Sequence, residues 1–362
     1  MNLTERIRKK IAQDGPVPLA DYMALALGDP DYGYYMHKDP LGLKGDFVTS
    51  PEISQIFGEL IGIWCAECWQ QMGRPQIDVI ELGPGRGTLM MDCLRATAHI
   101  SGFHDAIRVH MVEMSPVLRK LQQQGLNGKH PRISWHDTLP ETDRPKLIIA
   151  NEFFDALPIR QFVVTEKGYC ERMVDWRDNS FCFVAGENRN KLPGDYPPEP
   201  KGALPKGTII EQCPLAQRVM MDIAQTLKTH GGAMLAIDYG YARAPHMLTA
   251  GDTVQAVYEH AYHNVLEHPG KADITAHVDF TTLADIARSM GVEAAPLMNQ
   301  RDFLLKMGGK MRMEQLCRHA NSKEQQERIT QSFGRLVSRE EMGTLFKVLA
   351  VTSGIKAPVL GV

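Results

Sequence analysis

The sequence predicts an α/β protein built on a doubly wound parallel sheet, and three observations carry that prediction. From Ile77 onward, short apolar runs alternate with helical stretches: IDVIEL, IRVHMVE, ISW, KLIIA and, after an interruption, AMLAID. The first run leads into a glycine-rich turn, Glu81-Leu82-Gly83-Pro84-Gly85-Arg86-Gly87, with a helix expected from Thr88. The second and fourth runs are closed by polar residues, Glu113 in one case and Asn151-Glu152 in the other, at the strand ends where open α/β sheets bind ligands.

Residues 1–75 are expected to be a helical cap or lid. Ile7 and Ile11 give the first helix an apolar side, and the Gly-, Asp- and Tyr-rich loop DPDYGYY through GDFVTS precedes a helix running to Met72. Thr49 or Ser50 as N-cap, Pro51 in the first turn and Glu52 three residues after Thr49 have the form of a capping box. The central domain is expected over 76–310, with helices from Thr88 and Pro116 between its strands. An insertion of about 159–206 begins with IRQFVVTEKGYCERMVDW, whose period-two pattern around Lys167-Gly168 reads as a β-hairpin, and ends in a Pro-, Gly- and Asn-rich loop. The alternation resumes with a helix from Pro214 to His230, the strand 233–238, a helix from Phe280 to Met290 and the apolar VEAAPLM. Residues 311–362 are expected to be helical.

The 362 residues are 43% apolar and 23% charged, which excludes a disordered chain. Forty Lys and Arg against 43 Asp and Glu, a net charge of -3, leave no global field to gather nucleic acid or an anionic membrane. Seven cysteines, an odd number scattered along the chain, read as reduced thiols. The basic start is followed by Gln13, Asp14 and Gly15 where a leader's apolar stretch would stand, and no apolar window approaches a membrane span. A cytoplasmic protein is the expectation.

The chemistry concentrates at the strand ends. Gly83, Gly85 and Gly87 can adopt positive φ and let a ligand approach the backbone and the following helix N-terminus. Their spacing, G-x-G-x-G after the acid Glu81, differs from the dinucleotide fingerprint G-x-G-x-x-G and resembles the first motif of class I S-adenosylmethionine-dependent methyltransferases. Glu113 is then placed to accept hydrogen bonds from ribose hydroxyls, and Asp137 to contact an adenine edge. In Asn151-Glu152-Phe153-Phe154-Asp155, two carboxylates emerge among aromatic residues, where they need a cationic or hydrogen-bonding partner. Tyr32, Tyr34 and Asp46 are candidate contacts from the amino-terminal segment. Cys65-Ala66-Glu67-Cys68 lacks the second pair a zinc site requires and reads as buried helix cysteines. His260, His263 and His268 are taken as a chance cluster, so no metal is expected.

The motifs ELGPGRGTLM, VEMSP, NEFFDALPIRQF and IDYGY, the upstream GDFVTSPEISQIFGELIG and the later TAHVDF together resemble the MidA-like family over roughly residues 15–310. That resemblance implies a class I methyltransferase fold, S-adenosylmethionine as cofactor and symmetric dimethylation of arginine in a partner protein. It also implies a part in assembly of respiratory complex I, whose 49 kDa-type subunit is the eukaryotic target. A guanidinium stays protonated at neutral pH, and carboxylates against one side would draw its charge away from the attacking nitrogen. Glu152 is the first candidate and Asp155 the second, while Asn151 is assigned to either cofactor or substrate. The alternatives are an N-methyltransferase of nucleobase amines, whose loop Asn151 and Phe154 match only at its ends, and a non-catalytic cofactor-binding assembly factor.

Overall fold

The central apolar runs do pair as parallel strands, in an order that puts the glycine turn at the middle of the sheet. The computed structural model describes residues 2–37, 48–197, 204–243, 251–259, 261–355 and 361. Its largest sheet includes the strands β1 (Ile77–Leu82), β2 (Ile107–Val112), β3 (Ile133–His136), β4 (Lys146–Asn151), β5 (Gly232–Tyr241), β6 (Glu293–Ala294), β7 (Met298–Asn299) and β8 (Phe346–Ser353). They lie in the order β6-β8-β5-β4-β1-β2-β3, with β7 also on β8. Strands β5, β4, β1, β2 and β3 are parallel, and Leu82 is level with both Ala150 and Val112. Chain direction across the sheet reverses at β1, so the crevice beyond the ends of β1 and β4 is the topological switch point.

Two compact units share the chain. The first comprises 1–40, 154–220 and 241–283; the second comprises 41–153, 221–240 and 284–362 and contains this sheet. The expected 1–75 cap is thus divided between them, and 311–362 falls in the second. Residues 311–362 are not wholly helical: Phe346–Ser353 is β8, antiparallel to β5 from Tyr239↔Phe346 to Gly232↔Ser353.

In the second unit, the helix Gln55–Gln71 packs on Thr88–Thr97. A Cβ on Gly62 would stand 2.8 Å from the Cys93 backbone, so glycine permits this close approach. Trp64, Cys65, Cys68 and Trp69 are buried here. Burial pushes the Cys65 thiol up to about 12, which leaves it protonated and inert, in keeping with the buried-cysteine reading.

The first unit has a helix, Leu3–Asp14, capped reciprocally by Asn2 and Glu5 and burying Leu3, Ile7 and Ile11. The expected hairpin is present: Arg160–Thr165 pairs with Gly168–Arg177 and closes at Thr165↔Gly168. A further strand, Ser180–Arg189, lies on Gly168–Arg177, so part of the expected loop is strand. Among the described residues, no helix is long and apolar enough to cross a membrane.

Candidate functional site

Three glycines turn the chain out of β1 in a conformation that other residues rarely adopt. Gly83, Gly85 and Gly87 have φ of +59°, +54° and +79°. The Gly83 N–H donates to the Val112 carbonyl at 3.0 Å and the Gly87 N–H to that of Pro84 at 2.7 Å. A Cβ on Gly83 would also lie 3.0 Å from the Phe153 ring. The turn therefore needs glycine for its backbone and, at Gly83, for space.

Two acids flank it. Glu81 is buried, and its Oε2 has no hydrogen-bond partner among the described residues. Burial pushes its carboxyl well above the usual range, and the charge of Glu113 adds to the effect. Glu113, at the end of β2, is 9% exposed. Its carboxylate accepts the Ser115 N–H at 2.8 Å and Gln122 Nε2 at 3.2 Å. These bonds partly offset the burial that raises its pKa. Gln122 also donates to the Gly85 carbonyl at 2.7 Å and accepts Trp135 Nε1 at 2.9 Å, so one amide ties the turn, the acid and β3 together. Sequence reasoning passed over Gln122. Its signal was a polar residue in register with Leu118 and Leu126 on the apolar stripe of the helix Pro116–Leu126, where it is fully buried.

The segment before the long helix is bound to the same turn. Ser50–Ile53 is a single helical turn, and Ser54 starts Gln55–Gln71 anew, accepting the Ile56 N–H at 3.4 Å. The expected capping box does not form because Glu52 is engaged elsewhere: its carboxylate accepts the Thr88 hydroxyl and lies 3.6 Å from Arg86. Glu52 is thus a second residue whose part was missed.

At the end of β4, Glu152 has φ of +48°, an uncommon conformation for a residue with a side chain. Its N–H donates to the Ile237 carbonyl at 2.9 Å, which holds it against β5. Its Oε1 accepts the Ser50 N–H at 2.9 Å and Asn151 Nδ2 at 3.2 Å. Asn151 is 8% exposed, and its Oδ1 has no partner among the described residues.

The structure thus brings together Glu81, Gly83, Gly85, Gly87, Glu113, Asn151 and Glu152 at one edge of the sheet. Asp137 has a side chain 82% exposed and pairs with Arg119 at 2.5 Å; Arg119 also donates to the Glu113 carbonyl at 2.6 Å. Tyr32, Tyr34 and Asp155 belong to the first unit. There Tyr32 lies under the Arg6 guanidinium at 5.0 Å, and Tyr34 is buried edge-on to Tyr35 at 5.1 Å. Asp155 is buried, its carbonyl accepting the Ala276 N–H. The Tyr35 hydroxyl donates to Asp273 at 2.9 Å, and burial first, then the charges of Asp273 and Asp155, hold its pKa well above the usual value. Asp46 lies outside the described residues.

The orphaned Oε2 of Glu81, the Glu113 carboxylate and a turn that excludes side chains fit a ligand bearing hydroxyl donors and a positive charge. Residues 60–297 match the family model described as S-adenosyl-L-methionine-dependent methyltransferase. A Drosophila melanogaster protein named as a mitochondrial homolog of the protein arginine methyltransferase NDUFAF7 is 36% identical over 396 residues, covering 99% of this chain and 88% of that protein. The Homo sapiens NDUFAF7, named likewise as mitochondrial, is 34% identical, covering 94% and 81%. Among solved structures, a COG1565 superfamily member from Burkholderia thailandensis bound to S-adenosyl-homocysteine superposes with a TM-score of 0.84 at 27% identity, covering 99% of this chain and 93% of that one. The mitochondrial names overturn the cytoplasmic placement expected from the sequence. Free cysteines report a reducing environment, not which compartment supplies it.

Proposed function

Because the chain belongs to the MidA-like family of S-adenosyl-L-methionine-dependent methyltransferases, we propose that it methylates an arginine of a partner protein, with a subunit of respiratory complex I of the 49 kDa type as the candidate substrate. It is an enzyme, and its cofactor is S-adenosyl-L-methionine. When bound, the cofactor supplies a methyl group already activated on a sulfonium. Gly83, Gly85 and Gly87 would admit it to the backbone, Glu113 would accept its hydroxyl hydrogens, and Glu81 would face it with an unsatisfied oxygen. Asp137 is the proposed adenine contact. The chain's chemical task is then to present a nitrogen lone pair in line with the methyl group.

The observation that carries the arginine reading is the held carboxylate of Glu152. A backbone N–H, a side-chain amide and a constrained main chain fix it before any substrate arrives. A carboxylate fixed in advance pairs with a guanidinium without the cost of ordering it, drawing positive charge toward the nitrogens it binds. A neutral nucleobase amine would gain far less from it. Asp155 is proposed as the lesser acid. Glu152→Gln should leave cofactor affinity nearly unchanged and slow methyl transfer by roughly a hundredfold, the scale of losing a preorganised electrostatic contact. A single-turnover assay on the candidate subunit, with a parallel cofactor titration, tests this. Full activity in Glu152→Gln removes the guanidinium clamp, and lost cofactor binding reassigns Glu152.

A further inference from the structure

We propose that His263, Glu267 and His268 bind a divalent transition-metal ion of the zinc class. The three belong to the first unit, on the turn that leaves the hairpin of Gln255–Tyr258 and Ala261–His263, where Ala256 is level with His263. Their ligand atoms all lie within 4.8 Å of one another. His263 Nε2 is shielded from solvent, makes no hydrogen bond among the described residues and lies 3.4 Å from Glu267 Oε2. Two imidazoles and a carboxylate are a familiar donor set for zinc, with a fourth position left to water.

The turn is built to hold this set. Asn264 Oδ1 accepts the Leu266 N–H at 3.0 Å, and the Asn264 carbonyl accepts the Glu267 N–H at 3.0 Å. Asn264 Nδ2 donates to Glu267 Oε1 at 3.3 Å, leaving Oε2 on the side of His263. An amide bonded to the far oxygen of a ligating carboxylate is the usual outer support of a metal site. Leu266 and Ala272 are buried on either side of Glu267 and His268, which anchors the turn in the first unit's core. The His263 and His268 rings are stacked, with centroids 5.2 Å apart and 15° between their planes, and each lies near Tyr258, at 5.7 and 5.6 Å; the exposed His268 ring has to turn for both imidazoles to face one ion. Glu267 is half exposed, so a rotation of its side chain can close the remaining distance to a bound ion.

The test is calorimetric titration of the whole, chelator-stripped protein with zinc chloride, alongside cobalt chloride absorption to read the coordination. One zinc per chain is expected, with micromolar or tighter affinity. His263→Ala, His268→Ala and Asn264→Ala should each weaken it about tenfold or more without altering circular dichroism. His319→Ala, an exposed histidine elsewhere, should bind as wild type does. No zinc binding by the wild type, or binding that persists in the His263→Ala/His268→Ala double variant, overturns the site.

Discussion

A carboxyl oxygen with no partner is an expensive thing to bury, and burial of the one on Glu81 holds its pKa well above the usual value. Its raised pKa means that the native chain holds a proton where the unfolded chain, with a value near 4.5, has released it. The stabilisation is therefore complete below about pH 4.5 and is lost as pH rises through the folded value. Replacing Glu81 with Gln should remove this slope, so that denaturant unfolding at successive pH values shows the variant gaining on wild type as pH rises. A constant difference between the two would mean that folding does not raise the Glu81 pKa. Gly83→Val adds a side chain where φ is +59° and Phe153 is already in contact. Calorimetry should find cofactor binding abolished, with the circular dichroism spectrum near wild type. The need for small residues at this turn was legible from spacing. The strained φ of Glu152 was not, because it is imposed by a bond to β5, a strand some eighty residues later.

Elements were legible where one periodicity governed them. Strands β1 and β4 are buried along their whole length and β2 along most of it, and their apolar residues stood out as runs; the hairpin of the first unit announced itself by alternation around Lys167-Gly168. Strand β8 went unseen because FKVLAVTS follows a stretch of helices, and a short apolar run without a turn signal can be read either way. The helix Pro116–Leu126 offers the sharpest check on how elements serve the site. Its Gln122 is the amide that joins Glu113 to the Gly85 carbonyl. In Gln122→Leu both acceptors lose their donor inside the protein, which should cost about 1–3 kcal/mol in denaturant unfolding and weaken cofactor binding as well. A variant as stable as wild type would make the amide dispensable.

For the molecule as a whole, neither unit is a single stretch of chain. The chain passes from one to the other at 40/41, 153/154, 220/221, 240/241 and 283/284. Phe153 and Gly240, where it leaves the second unit, come just after β4 and at the end of β5, so the strand ends that carry the site are also where the chain departs. The sequence reading divided the protein into consecutive blocks because local patterns reveal elements in order but not which of them share a core. Ending the chain at residue 340 removes β8 and bares the backbone of β5 along Gly232–Tyr239. An exposed strand edge of that length invites pairing between copies, so size-exclusion chromatography should show the truncated protein aggregated.

The same strand is the last of the sheet to be made. At a synthesis rate of roughly 5–20 residues per second, β8 follows β4 out of the ribosome by about 10–40 s. Once made, β5 keeps the edge that β8 will cover open until β8 emerges. The nascent chain then carries an apolar, half-paired sheet, a natural client for a chaperone. Ribosome pausing between residues 241 and 346 would lengthen the period of greatest aggregation risk without changing a single contact in the finished enzyme.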